Sequence, residues 1–448
     1  MSGPATLPGT LLVRGGRVVD PSQDLDARRD VLIENGVVTQ IEESLEELAR
    51  EAGAGDGGGL EVLDATGKVV TPGLIDLRTH LREPGYEWKE TLVTGTRAAA
   101  AGGFTAVAAL PDTQPACDHR SVVEHVLKES ARLGYAQVWP LGAVSKGLRG
   151  EELAEMGEMV AAGAIAFTDA ETPIRHPELM RRALLYSQHF DVPVIQHPED
   201  SELSGDGVMH EGEESTRLGL PGMPAASEEI VVARDLILHR ETGGRYHVAR
   251  VSTVGALRRL REARQDSHRA GTVTCDVTPH HLLLTDREVR EQEFSTATKV
   301  RPPLRSEEHR QALLEALADG TVDALTSDHA PHHPDEKDVE LSVAPFGIVG
   351  LETLVSLALD RLVRAGVISL SRFVELLSTG PARVLGVPGG SLAPGSPGDL
   401  TLLDLERAVT VDPKRFRSKG RSTPFAGWKL TGAPAGTVIA GRPVRFDA

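Results

Sequence analysis

Apolar positions fall into two regimes along the chain. At either end they come in short alternating stretches, at 11–13, 17–19, 31–33 and 37–41 near the start and at 400–403, 409–411, 437–439 and 443–446 near the finish. Gly15-Gly16 and Asn35-Gly36 punctuate the first group, and Asn-Gly between alternating runs signals a two-residue hairpin. Both ends therefore predict small antiparallel β units, expected to join in one sandwich. The Gly- and Ala-rich stretch 51–59 predicts a connector. Between Val69 and Leu385, apolar runs of strand length alternate with longer amphipathic stretches. The runs lie at 74–77, 106–110, 137–142, 164–167, 193–195, 247–251, 273–277 and 324–326. Such alternation predicts parallel strands covered by helices, and this number of runs fits a closed (β/α)8 barrel of the TIM type. An open doubly wound sheet fits less well, because no Gly-x-Gly-x-x-Gly follows an early strand. The expected division is a composite β-sandwich from 1–66 and 395–448 beside a barrel at 67–394.

Composition narrows the functional classes. The chain has 448 residues with 48 Lys+Arg against 65 Asp+Glu, a net charge of −17. No basic stripe offers phosphate-counterion release, so nucleic acid is not an expected partner. No apolar stretch approaches the roughly 18 residues that span a bilayer. The first residues lack the basic-then-apolar order of an export signal, which makes a cytoplasmic location the expectation. Cys117 and Cys275 are the only cysteines, too few for a disulfide framework or a thiolate zinc site.

A β/α barrel builds its chemistry at the C-terminal ends of its strands. His80 follows the first run, Asp169 and Ala170 the fourth, His197 the fifth and Arg250 the sixth, with His280 and His281 after the seventh and Asp328, His329, His332 and His333 after the eighth. His80, His197 and Asp328 come from separate strands. Imidazole and carboxylate converging in that way suit zinc or a similar divalent ion.

Five motifs carry a resemblance. His80-Leu81-Arg82-Glu83-Pro84-Gly85, the Ala- and Gly-rich stretch from Gly95 to Thr105, Thr278-Pro279-His280-His281, Asp328-His329-Ala330-Pro331-His332 and Ala344-Pro345-Phe346-Gly347-Ile348 together resemble the dihydroorotases of the amidohydrolase superfamily. The resemblance covers nearly the whole chain. It implies a metal-dependent barrel with a side sandwich and the reversible closure of N-carbamoyl-L-aspartate to L-dihydroorotate in pyrimidine synthesis. It also implies a two-zinc centre, whose ligand positions are only half kept here. His80, His197 and Asp328 match ligands, with Asp328 also the proton shuttle, but Arg78, Ala170 and Arg250 stand where ligands are expected. At the fourth strand a shift of one residue would bring in Asp169 instead. A guanidinium has no free lone pair and stays charged, so Arg78 and Arg250 oppose metal binding. The expectation is that they hold Asp328 and Asp169 by charge-assisted hydrogen bonds.

For the substrate, the resemblance implies contacts from Arg82, His332, Phe346 and Gly347. Asp112 stands where the family commonly has Asn, and Arg301 where it often has a neutral residue; pairing between the two would offset the added charge. The stretch 333–344 resembles a mobile loop beside the site. Degenerate chains of this kind resemble non-catalytic subunits that assemble with aspartate carbamoyltransferase. That pseudoenzyme role, without metal, is the favoured expectation, and a homo-oligomer is expected. The alternative is an active enzyme with one zinc shared by His80, His197 and Asp328.

Overall fold

The structure is a computed structural model that describes residues 9–48, 60–265 and 272–446; the expected connector at 51–59 lies outside the described residues. Every apolar run of the central region becomes a stave of a closed parallel barrel. Leu74–Thr79, Phe104–Ala109 and Gln137–Pro140 form one parallel sheet, and Val194–Gln196, Tyr246–Val248, Val273–Val277 and Ala324–Leu325 form another. The fourth run joins them through single parallel bridges, Gly142 to Phe167 and Phe167 to Val194, and Thr79 to His329 closes the ring. Backbone hydrogen bonds continue across this thin stave, from Gly142 N to Ala166 O and from Ile195 N to Phe167 O.

Residues alternate across the strands with period two, except where the register shifts between Phe104 and Ala106. Ile75, Leu77, Ala106, Ala108, Ala166 and Ile195 pack inside the barrel. Leu74, Phe104, Val107, Phe167, Val194 and Val248 face the surrounding helices. Small alanines recur on the inner face because eight tilted strands leave little room there. The helix Leu92–Ala101, which connects the first two strands, starts from Thr91 as its cap, with Thr94 closing a capping box.

The chain ends join, as expected, and do so in one eight-stranded sheet. Its order runs Arg442–Pro443, Lys429–Ile439, Leu400–Thr410, Val69–Pro72, Thr10–Asp20, Leu25–Glu34, Val37–Glu42, with Leu60–Asp64 also on Thr10–Asp20. Leu11, Val31, Val70, Leu400 and Val438 from both halves share a core. The short runs 11–13 and 17–19 are a single strand whose register shifts between Val13 and Gly16. Gly15, at φ +78, makes this bulge possible, and the buried Asp30 carboxylate accepts from its N–H at 2.8 Å. In the same way 400–403 and 409–411 merge into one strand with register shifts. The hairpin signal holds, with Asn35 and Gly36 both at positive φ. No helix among the described residues is long and apolar enough to cross a membrane.

Candidate functional site

Four strand ends deliver four charges to the barrel mouth. Arg78 lies near the end of the first strand, Glu171 just past the fourth stave, Arg250 two residues beyond Val248, and Asp328 beyond the eighth strand. Arg78 Nε donates to Asp328 Oδ1 at 3.0 Å and its Nη2 to Glu171 Oε1 at 2.6 Å. Arg250 Nη1 donates to Glu171 Oε1 at 3.0 Å and to Asp328 Oδ1 and Oδ2 at 3.1 and 3.2 Å, while its Nη2 reaches Glu171 Oε2 at 3.1 Å. The result is a closed ring of alternating charge. Both guanidiniums are interior groups, Arg78 at 2% and Arg250 at 1% exposure, so neither reaches outwards to solvent. Burial alone would raise the Glu171 carboxyl, but Arg250 and then Arg78 outweigh it and hold it well below the carboxylate range.

Backbone strain concentrates at the same place. Arg82, Ala170, Arg250 and Asp328 all take positive φ, at 63°, 55°, 55° and 48°. Non-glycine residues hold that conformation only where the surroundings enforce it, and such positions gather at functional sites.

His80, Glu171 and Asp328 bring one possible ligand atom each within 4.8 Å of one another. The donor set nevertheless does not fit a cation. All four carboxylate oxygens already accept guanidinium hydrogens, and an ion would enter beside two fixed positive charges. Zinc would have to compete with the guanidinium hydrogens for every one of these oxygens. His197, the other retained histidine, turns aside: its Nε2 lies 3.2 Å from Glu199 Oε2. Burial and then the Arg250 charge lower its basicity.

Two expectations about charge pairing need correction. Asp169 does not hold the arginines; its buried carboxylate accepts from Val144 N, Ser145 N and Ser145 Oγ, and so fixes the loop after the third strand. A one-residue shift therefore does not restore a ligand at this strand. Ala170 contributes only its carbonyl, which accepts from Arg78 Nη2 at 3.1 Å. The carboxylate that answers the arginines is Glu171, one residue further on. Arg301 likewise does not pair with Asp112; it forks onto Glu199 at 2.7 and 2.5 Å. Asp112 instead accepts from Arg82 Nη1 at 2.8 Å and lies 2.8–2.9 Å from His80 Nδ1.

The remaining expected contacts surround a cavity of about 200 Å³ lined by His80, Arg82, Glu171, Arg250, Arg301, Asp328, Ala330, Phe346 and Gly347. The Phe346 ring meets both Lys299 and Arg301, whose charged groups are 4.7 and 5.1 Å from its centroid. His332 Nε2 meets Phe346 O at 2.8 Å. Burial, then Arg82 and Lys89, push its pKa down to about 3, which leaves Nε2–H free to donate as a neutral ring. Gly347 sits at φ +118, where a Cβ would fall 2.7 Å from Ala330 Cβ, so only glycine fits. The segment beyond His332 packs down as a cover. Lys299 Nζ donates to Leu341 O and Ser342 O, Lys337 Nζ to Pro345 O, and Lys89 pairs with Glu336 at 2.9 Å. Three further histidines near strand ends serve the scaffold: His247 sits between Thr274 and Asp276, His281 between Thr278 and Pro302 O, and His329 against Glu90.

A closed β/α barrel with histidine, carboxylate and arginine at its mouth and a sheet built from both chain ends is the architecture of the cyclic-amide amidohydrolases. An L-hydantoinase from Arthrobacter aurescens superposes with a TM-score of 0.84 at 26% identity, over 97% of this chain and 95% of that one. Residues 67–255 match a family model described as dihydro-orotase-like. Proteins named dihydroorotase from Pelotomaculum thermopropionicum and from Anaeromyxobacter dehalogenans strain 2CP-1 are each 50% identical over 437 residues, covering 98% of this chain and 99% and 98% of theirs. The chain belongs to the dihydroorotase family.

Proposed function

We propose that this chain is a non-catalytic dihydroorotase-family protein that acts in pyrimidine biosynthesis as a structural partner of an aspartate carbamoyltransferase. The observation that carries the first half is the ring of Arg78, Glu171, Arg250 and Asp328. A catalytic zinc needs about three protein ligands and an open position, and lowers the pKa of its bound water. A guanidinium offers neither a vacant orbital nor a lone pair, so the ring cross-links the strand ends without activating water. Asp328, the group that would move a proton in the family reaction, spends both oxygens on Arg250. The partner role is supported by the scaffold that persists around this mouth, including the strained strand ends and the packed cover, together with the resemblance to degenerate subunits of such complexes.

The test is ring opening of L-dihydroorotate by purified protein supplied with zinc, beside Asp328→Ala. A rate no higher than the control is expected, and co-purification with the aspartate carbamoyltransferase of the same cell. A zinc-dependent rate abolished by Asp328→Ala would overturn the proposal. It would favour the second reading, which the closeness of His80, Glu171 and Asp328 supports: an active dihydroorotase in which one ion displaces both guanidiniums.

A further inference from the structure

The mouth neutralises itself. Of the guanidiniums that line the cavity, Arg250 is met by Glu171 and Asp328, and Arg301 by both oxygens of Glu199. Arg82 is met by Asp112, but incompletely. Only its Nη1 reaches the carboxylate, at 2.8 Å, while its buried Nε has no hydrogen-bond partner. The Asp112 carboxylate is shared with His80 Nδ1. A guanidinium fork matches a carboxylate through two parallel hydrogen bonds, so Arg82 presents a carboxylate site that its internal partner only half fills. The side chain is one-tenth exposed and springs from a backbone held at φ +63. It is a placed group rather than a surface arm.

We propose that Asp112 is an internal carboxylate ligand, which occupies the Arg82 fork in place of a carboxylate from a small anionic molecule and so closes the cavity to such anions. An attached carboxylate competes without the loss of translational freedom that a free ligand incurs. An incoming anion would also meet Asp112 as a like charge a few ångströms away. The inference rests on the family reading for its choice of ligand class, while its test reads binding and not turnover.

The experiment is calorimetric titration of the full chain with N-carbamoyl-L-aspartate, comparing wild type, Asp112→Asn and Arg82→Met/Asp112→Asn. Asp112→Asn keeps the shape and a hydrogen-bond acceptor for Arg82 while removing the charge. Freeing one charge-assisted contact predicts binding at least about tenfold tighter than wild type, with the gain lost in the double variant. Equal affinity in wild type and Asp112→Asn, or a gain that survives Arg82→Met, overturns the proposal. Should Asp112→Asn fold poorly, Asp112→Ala titrated with acetate supplies a second measurement. Its melting temperature should rise with saturation while those of wild type and of Arg82→Met/Asp112→Ala do not, and no difference among the three overturns the proposal equally. Turnover by wild type would sink the non-catalytic assignment and leave this comparison standing.

Discussion

Glu171→Gln removes one charge and almost no volume from the arginine ring, and its cost follows from the geometry. Glu171 accepts from Arg78 at 2.6 Å and from Arg250 at 3.0 and 3.1 Å. Without that charge, Asp328 alone must balance two guanidiniums that are almost wholly buried. Removing one partner of a buried ion pair costs about 3–5 kcal/mol, because the other charge is stranded. Glu171 itself has 35% of its side chain exposed, so water can reach the gap and screen part of the loss. The glutamine oxygen also keeps one acceptor. These discounts bring the expectation to about 2–3 kcal/mol of stability.

Urea denaturation followed by tryptophan fluorescence measures the loss, and a double-mutant cycle with Arg250→Met assigns it. The cycle should return a coupling above roughly 1 kcal/mol, because removing both partners strands less charge than removing either. A Glu171→Gln loss within about 0.5 kcal/mol, the range of ordinary surface substitutions, would refute the ring as a stabilising element. So would additivity in the cycle.

Three further outcomes follow from the same physical picture. Purified protein should carry no stoichiometric zinc by elemental analysis, and a chelator should leave its melting temperature unchanged; Arg78→His/Ala170→Asp/Arg250→His should gain zinc, seen as metal-dependent thermal stabilisation. Burial and then the neighbouring Lys299 charge push the Lys337 pKa down to about 7, against the pull of Glu336. The exposed lysine binds its proton up to about pH 10.4, so between those values the opened cover holds more protons than the closed one. Closure should therefore strengthen as pH rises through this window, by at most about 1.4 kcal/mol per unit, and be weakest below pH 7. Hydrogen exchange of 334–345, corrected for its intrinsic rate, should show that slope in wild type and lose it in Lys337→Met. Finally, Asp169→Ala should destabilise the loop after the third strand by about 1–3 kcal/mol, because two buried N–H groups lose their acceptor; an unchanged exchange rate at Val144 and Ser145 would contradict this.

The staves were legible because barrel strands are buried on both faces and write themselves as continuous apolar runs. The terminal sheet was less so. Gly15-Gly16 looks like a turn in sequence, yet Asp30 anchors the Gly15 N–H and converts the break into a bulge within one strand. At the mouth, Arg78, His80, Arg250 and Asp328 were all visible as strand-end residues, and Arg82 and Asp112 as neighbours. Glu171 was not legible from the ligand pattern, because it lies one residue beyond the ligand position that Ala170 fills. A charge argument would have found it. Two buried arginines demand two carboxylates, Asp328 supplies one, and the residue after the substituted alanine supplies the other. The partners of Asp169 and Arg301 could not be read from spacing, since each depends on which loop folds over which strand end.

The ring also explains how the barrel mouth can keep its form with arginines where ligands are expected. A metal ion ties strand ends together by accepting lone pairs from several directions at once. A guanidinium reaches the same end from the opposite sense, donating up to five hydrogens in a plane. Arg78 and Arg250 thus link the ends of the first, fourth, sixth and eighth staves through Glu171 and Asp328, and hold Ala170, Arg250 and Asp328 in their strained backbone states. Geometry is preserved because hydrogen bonds are directional and the fork is rigid. On the proposed reading the chemistry is not, because a permanently protonated group cannot polarise a carbonyl as a Lewis acid or turn water into hydroxide at neutral pH. On the proposed non-catalytic reading, neutralising one carboxylate should therefore cost stability and leave ring opening at the level of the control, whereas a metal centre that used the same carboxylates as ligands should lose stability and turnover together.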